Sequence, residues 1–169
     1  MNGMLRLSLI LVVGSACWAG LPPEQKQAKP KLTPADITPD LVQSAIKHGE
    51  AFLLDSQNPD GSWDGAADSL TTWSGGTWSN PESHRSWRIA TTGLACLAML
   101  EMDDDQRVRR SIDRAIDYLT ANSDLKRPSD WDTMDCWGHI YGLQALAAAR
   151  VDERFQDPER DKLIRTAMD

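Results

Sequence analysis

The pattern of hydrophobic positions predicts a helix at the start of the folded part of the chain. Apolar residues recur at three- and four-residue spacing between Leu41 and Leu53, which is the period of one helical face. Thr38-Pro39-Asp40 is a start signal, with a capping hydroxyl, a proline at the first helical position and an acid in the first turn. The proline and glycine of Asn58–Gly61 stop the helix and form a turn. We therefore predict a first helix that runs from Thr38 to about Gln57.

Two later segments, 87–102 and 135–151, are apolar around almost their whole circumference. A helix without a polar face must be buried, so we expect both to be covered on all sides. Each is followed by an amphipathic helix. The helix after the first segment has its apolar stripe over 108–119, and the helix after the second segment is capped by Asp157-Pro158. This alternation predicts an all-α fold with an inner and an outer layer.

The same segments repeat at a nearly constant interval. Gly142-Leu143 follows Gly93-Leu94 by 49 residues, and the outer segment from Leu163 follows the similar one from Ser111 by 52. A period near 50 indicates a helical-repeat array. The third outer segment stops at Asp169 where the second continues, so we expect a truncated array of about two and a half hairpins.

The turn after the first helix is flanked by Gln57 and Trp63. A glutamine amide offers donors and acceptors to the bare end of a neighbouring helix, and an indole covers apolar surface while donating one N–H. We expect the two side chains to act as a clasp, by which we mean that their hydrogen bonds and packing hold adjacent helical hairpins together. The residues that carry this pattern, with the apolar run before them, are Gly49, Phe52-Leu53-Leu54, Gln57, Asp60, Gly61 and Trp63.

This motif resembles the glutamine-tryptophan repeat of squalene and oxidosqualene cyclases, which the β subunits of protein prenyltransferases share in looser form. The resemblance covers about 38–169 and implies an α/α toroid of the prenyltransferase and squalene oxidase repeat type, here incomplete. Only the first repeat keeps the glutamine and tryptophan, because the second reads Ala121-Asn122-Ser123 at that point.

The N-terminal region predicts export. Residues 1–19 combine Arg6, an apolar core and small residues in the manner of a cleavable signal, and they are too short for a stop-transfer helix. We therefore expect no transmembrane span in the mature chain and a periplasmic or extracellular location. The alternative is a lipoprotein anchored at Cys17, whose preceding residues resemble a bacterial lipobox. Residues 20–37, rich in proline, lysine and glutamine, are interpreted as a disordered linker.

The net charge limits which partners the chain can bind, and the cysteine positions indicate whether a disulfide can form. With a net charge of −7 the chain is a poor match for nucleic acid or an anionic membrane surface. Cys96 and Cys136 are offset by nine positions in the 49-residue register, about 13 Å at ~1.5 Å per residue. A disulfide needs Cα atoms within about 7 Å, so we predict two free, mostly buried thiols.

Two acidic segments invite comparison with the family's catalytic motifs. Squalene-type cyclases protonate their substrate through D-x-D-D, but Met102 precedes Asp103-Asp104-Asp105, which we interpret as a solvated turn. Prenyltransferase β subunits bind zinc through D-x-C and a distant histidine, whereas Asp135 and Cys136 are adjacent here, with His139 one turn later. Because Asp135 and Cys136 point about 100° apart on a helix, a structural role is favoured and we predict no cofactor.

The tryptophan-rich segment 65–83 is a candidate ligand platform. Its aromatic rings and the nearby histidine are suited to stacking on a sugar or an apolar chain, although local packing over the helix ends is the favoured explanation. The residues of this platform are Trp73 and Trp78 within the segment and His84 and Trp87 just after it.

Three functions are consistent with these features. The first is an exported binding or scaffold toroid without a complete catalytic set, holding an isoprenoid-like or glycan ligand. The second is a terpenoid cyclase or prenyltransferase-like enzyme whose catalytic residues lie elsewhere. The third is a glycan-acting enzyme on the same architecture. The sequence leaves open whether the chain is catalytic, and it leaves open the oligomeric state.

Overall fold

The computed structural model describes residues 33–64, 80–127, 129–130, 133 and 135–169. Contacts between main-chain positions divide the chain into two units, Met1–Ile37 and Thr38–Asp169. In the first unit the described residues contain a short 3₁₀ helix, Pro34–Asp36. The predicted signal peptide and residues 20–32 of the predicted linker lie outside the described residues, as do Trp73 and Trp78.

The described part of the second unit is helical and contains no strand, which confirms the all-α prediction. The helix start signals act as the sequence indicates. The side chain of Thr38 accepts a hydrogen bond from the Leu41 N–H at 3.2 Å, and Asp105 and Asp157 cap two later helices in the same way. The α-helices are α1 Pro39–Ser56, α2 Pro81–Leu100, α3 Gln106–Ala121, α4 Asp135–Val151 and α5 Pro158–Met168.

Helix α2 begins earlier than the hydrophobic pattern predicts. The predicted apolar segment begins at residue 87, but Asn80 caps the helix by accepting from the Glu82 N–H at 2.9 Å. Pro81 occupies the first helical position. The signal is present in the sequence, since Asn80-Pro81-Glu82 repeats the cap, proline and acid order that begins α1.

Helices α2 and α4 pack closely through glycines. A Cβ on Gly93 would lie 2.4 Å from the Tyr141 carbonyl oxygen, and one on Gly138 would lie 2.9 Å from the Ser86 carbonyl oxygen. Backbones this close leave no room for a side chain at either glycine. Because Ser86 meets Gly138 and the later Gly93 meets Tyr141, the two helices run in the same direction.

Helix α3 packs against all four other helices and supplies much of the hydrophobic core. Its predicted stripe is buried as expected, and Met99 and Cys96 of α2 and Ile164 of α5 are buried in the same cluster. The short connection at residues 101–105 reverses the chain between α2 and α3. The buried stripe consists of Val108, Ile112, Ala115, Ile116 and Leu119.

The prediction that the apolar helices α2 and α4 are covered on all sides is wrong for the described structure. Leu94 of α2 and Ile140 of α4 are each 46% exposed. The residues that face α3 and the partner helix are buried, but on each helix the opposite side is open. Helix α1 has no buried residue, and only its C-terminal Leu53 and Leu54 pack against the core. His48 of the same helix is exposed.

Candidate functional site

The turn after α1 is held by its own side chains. One carboxylate oxygen of Asp60 accepts hydrogen bonds from the main-chain N–H (3.0 Å) and hydroxyl (2.6 Å) of Ser62. Burial alone would raise the pKa of Asp60, but these bonds and the charge of Arg88 lower it below its ordinary value. Gly61 has a φ of 91°, a conformation that glycine adopts without strain. Asp60 and Gly61 therefore set the path of the chain between Gln57 and Trp63.

Gln57 joins this turn to the side of α3. Its amide nitrogen donates to the carbonyl oxygens of Gly61 at 3.0 Å and Ser111 at 2.8 Å. Its amide oxygen accepts from the Ser111 hydroxyl at 2.6 Å and from the Arg114 guanidinium. The Gln57 amide therefore donates two hydrogen bonds and accepts two. The partner surface differs from the expected one, because Ser111 lies inside α3 and not at a bare helix end.

Trp63 joins the same turn to α1 and α2. The indole is 6% exposed, and its N–H donates to the Leu53 carbonyl oxygen at 2.8 Å. The main-chain N–H of Trp63 donates to the Thr92 hydroxyl at 3.0 Å, and its carbonyl accepts from the Thr91 hydroxyl. Gln57 and Trp63 thus connect the C-terminal end of α1 with both helices of the hairpin α2–α3.

An ion pair extends this connection. The Arg88 guanidinium of α2 pairs with Asp64, immediately after Trp63, and lies 3.7 Å from a carboxylate oxygen of Asp60. Burial alone would lower the pKa of Arg88, but the hydrogen bond and charge of Asp64 raise it. The motif residues therefore serve a structural role at the junction of three helices.

The uncovered sides of α2 and α4 present an apolar surface, which we call the open face. On α2, Trp87 and Leu94 lie two helical turns apart. On α4, Trp137 stacks on Tyr141 with ring centroids 5.8 Å apart. Both helices therefore expose large apolar side chains, although they pack closely on each other. The open face consists of Trp87, Leu94, Trp137 and Ile140. Leu143 is also exposed, but it borders a groove with Leu119 of α3 and Met168 of α5.

The structure separates the described members of the predicted aromatic platform. Trp87 is 40% exposed on the open face. His84 instead lines a groove between α2 and α3, to which Trp87 does not contribute. Burial, and secondarily the charge of Arg88, lowers the pKa of His84 below its ordinary value. Trp73 and Trp78 lie outside the described residues, so the platform as a whole stays a prediction.

The three consecutive acids form a capping turn. Asp105 accepts from the N–H groups of Arg107 at 2.6 Å and Val108 at 2.9 Å, and Asp104 pairs with Arg109. The hydrogen bond from Arg109 lowers the pKa of Asp104. Asp103 is exposed. The acids therefore form a solvated turn, as the sequence interpretation has it, and a carboxylate held in its ionised state is a poor proton donor.

The weak zinc candidates lie at the start of α4. Asp135 is its first residue and is partly buried, and Cys136 and His139 are exposed. Within the described ranges no group of three or more histidine, cysteine or acidic side chains is placed to hold a metal ion. Both described cysteines are free, and burial raises the pKa of Cys96 to about 12. The exposed Cys136 corrects the prediction that both thiols are mostly buried.

Comparisons with known proteins give no match to a family model, to a curated protein or to a solved structure. Within the described residues, the helices are too short or too polar to cross a bilayer.

Proposed function

We propose that the chain is an exported protein of the prenyltransferase and squalene oxidase repeat type, and that its inner helices bind an apolar, isoprenoid-like ligand on the open face. In this proposal α2 and α4 are successive inner helices of a partial α/α toroid. Helices α1, α3 and α5 are the outer helices, and the turn with Gln57 and Trp63 is the clasp between repeats.

The packing of α2 on α4 supports the repeat arrangement. Gly93 and Gly142 are equivalent in the 49-residue register, and a Cβ on Gly93 would lie 3.0 Å from the Gly142 main-chain nitrogen. Equivalent positions of neighbouring segments therefore meet side by side on parallel helices. This is the geometry expected when similar units stack along one axis.

The observation that carries the ligand proposal is the exposed aromatic surface of two helices that are otherwise well packed. Large apolar side chains on the surface of a folded protein mark ligand or partner sites when they are contiguous. Trp87 and Trp137 each contribute a flat ring, and Leu94 and Ile140 add branched aliphatic surface. Such a surface removes the apolar area of an isoprenoid chain from water.

The chemistry of the same helices favours binding over catalysis. The segments 87–100 and 136–149, which form most of α2 and α4, contain no aspartate or glutamate. Cyclisation of an isoprenoid that is started by protonation requires an acid close to the chain, whereas the consecutive acids of this protein form the capping turn before α3. A binding role requires only the apolar surface.

A binding measurement with farnesol, a neutral isoprenoid alcohol, tests the proposal. We expect farnesol to quench tryptophan fluorescence saturably. We expect Leu94→Asn and Ile140→Asn each to weaken binding about tenfold, since each removes apolar area that the bound ligand would cover. The matched control is Leu163→Asn, which changes an exposed leucine on α5 outside the open face. Unsaturable quenching, or equal affinity in all variants, would contradict the proposal.

A further inference from the structure

A second candidate site lies away from the open face, in the groove between the N-terminal turns of α2 and the C-terminal turns of α3. Its volume is about 650 Å³, within the range of about 300–1,000 Å³ that small-molecule sites occupy. His84, Arg85 and Arg88 line one wall, and Asp117 and Asn122 line the other. Most of the side chains that line the groove are polar or charged, whereas those of the open face are apolar.

Acidic neighbours compensate the two arginines of the groove. Arg85 pairs with Asp124 and lies 3.5 Å from a Glu82 carboxylate oxygen. Arg88 pairs with Asp64 and Asp60, as described above. Asp117 adds a further carboxylate. A free anion would have to compete with these carboxylates, so the groove is electrostatically unsuited to phosphate or sulfate.

Two side chains at the groove have no hydrogen-bond partner within the described part of the protein. The Asp117 carboxylate is exposed on α3, and the His84 imidazole stands across from it on α2. Burial lowers the pKa of His84, which favours the neutral imidazole, and a neutral imidazole both donates and accepts. The groove therefore offers a free acceptor at Asp117 and a donor–acceptor group at His84.

Asn122 and Tyr118 complete the polar lining. The Asn122 amide nitrogen donates to the Tyr118 carbonyl oxygen at 2.8 Å, which holds the Asn122 side chain in place and leaves its amide oxygen as an acceptor. Tyr118 is buried at the groove and interacts with Arg88 through its hydroxyl. Donors and acceptors are thus mixed on both walls and held on two packed helices.

We propose that this groove binds a neutral sugar, with His84, Asp117 and Asn122 hydrogen-bonding its hydroxyl groups. Each sugar hydroxyl can donate one hydrogen bond and accept others, so it is matched by a site that mixes carboxylate, amide and neutral imidazole groups. Hydrogen bonds to a charged carboxylate are the stronger ones, which makes Asp117 the principal anchor. The proposal does not depend on the open face, because the residues of the two sites do not overlap.

The test is a titration of the full chain with three neutral oligosaccharides, followed by NMR of the imidazole C–H resonances. The probes are maltotetraose, cellotetraose and triacetylchitotriose, each at millimolar concentration. The chain has three histidines, so His84→Gln assigns the His84 signals and the resonances of His48 and His139 serve as internal references. We expect at least one probe to shift the His84 signals saturably.

Matched carboxylate variants place the site. Asp117→Ala removes the free acceptor of the groove, and Asp103→Ala removes an exposed carboxylate from the turn before α3. We expect Asp117→Ala to weaken sugar binding about tenfold or more, in keeping with the loss of a charged hydrogen bond, and Asp103→Ala to leave it unchanged. Circular dichroism of each variant confirms that the helices are retained.

Three results would overturn the sugar proposal. The first is the absence of any saturable His84 shift with all three oligosaccharides. The second is a shift with inorganic phosphate and with no sugar, which would mean that the arginines bind anions. The third is equal loss of binding in Asp117→Ala and Asp103→Ala. Each result leaves the farnesol measurement unaffected, so the two proposals fail or stand separately.

Discussion

The side-chain amide nitrogen of Gln57 lies 2.8 Å from the main-chain carbonyl oxygen of Ser111, 54 positions further along the chain. The Ser111 hydroxyl returns a hydrogen bond of 2.6 Å to the amide oxygen of the same glutamine. Ser111 is 1% exposed, so this exchange takes place at the edge of the core. One side chain therefore fixes the end of α1 against the side of α3.

Replacing Gln57 with alanine should destabilise the fold. The substitution leaves the buried Ser111 hydroxyl without its acceptor, which costs about 1–3 kcal/mol. We expect a lower midpoint of urea unfolding with an unchanged denaturant dependence. The control is Gln144→Ala, at an exposed position of α4 that favours a helix former. Equal midpoints for both variants would mean that Gln57 does not act as a clasp.

Two glycines of the same region should respond oppositely to alanine. At Gly61 the φ of 91° disfavours a side chain, and a Cβ would lie 2.2 Å from the Arg114 carbonyl oxygen. We expect Gly61→Ala to lower the unfolding free energy by more than about 1–3 kcal/mol, because main chain must move in addition to the backbone strain.

Gly49, by contrast, lies in the middle of α1, and a Cβ added there would meet nothing within 4 Å. Gly49→Ala should therefore raise the unfolding free energy by about 0.5–1 kcal/mol through helix propensity. Thermal unfolding of the two variants side by side measures the difference. A destabilised Gly49→Ala would show that α1 is not a regular helix at this point.

The pH dependence of stability should report the burial of His84. Its folded pKa is lower than the unfolded value of about 6.5, so below that pH the unfolded state binds more protons than the folded state. Stability is lost as the pH falls from about 6.5 towards the folded pKa, and it is retained above 6.5. Arg88 and Asp64 are the charged groups that act on the imidazole.

We expect His84→Gln to reduce this loss between pH 7 and pH 5, measured by urea unfolding at each pH. The control is His48→Gln, which makes the same change at an exposed position of α1 and should follow the unmodified protein. If all three proteins lose stability equally over this range, His84 is not desolvated in the folded state.

The two described thiols should differ in reactivity. Cys136 is exposed, whereas Cys96 is fully buried and burial raises its pKa to about 12, so little thiolate forms on Cys96 at neutral pH. Brief treatment with iodoacetamide at pH 8, followed by peptide mapping, should modify Cys136 and leave Cys96 untouched until urea is added. Equal modification of both cysteines in the native protein would place Cys96 at the surface.

Helix positions follow from the sequence wherever capping and periodicity agree. The Thr38-Pro39 and Asp157-Pro158 signals mark the starts of α1 and α5, and the segment 135–151 matches α4. The hydrophobic period places the start of α2 too late because polar residues of its first two turns break that period, although Asn80-Pro81 carries the same local signal. Local hydrogen bonding, which decides a cap, is encoded in adjacent residues.

Burial follows less well from the sequence, because it depends on which helices meet. An apolar circumference does not show which side of a helix will be covered by another helix. On α2 and α4 the sides that carry Leu94 and Ile140 are exposed. No sequence pattern predicts the groove. In the sequence, His84 is a histidine close to several tryptophans. Neither Asp117 of α3 nor Asn122, which follows α3, belongs to a motif that indicates a site.

The sequence by itself determined the helical class, the caps and the turn at Gly61, because each depends on contacts between neighbouring residues. It also indicated Gln57 and Trp63 as the residues of a junction. Only the tertiary structure decided that Gln57 binds the middle of α3. It also decided that His84 lines a groove with α3, to which Trp87 does not contribute. These relationships join residues far apart in the chain, and the packing of the helices, not any local pattern, brings them together.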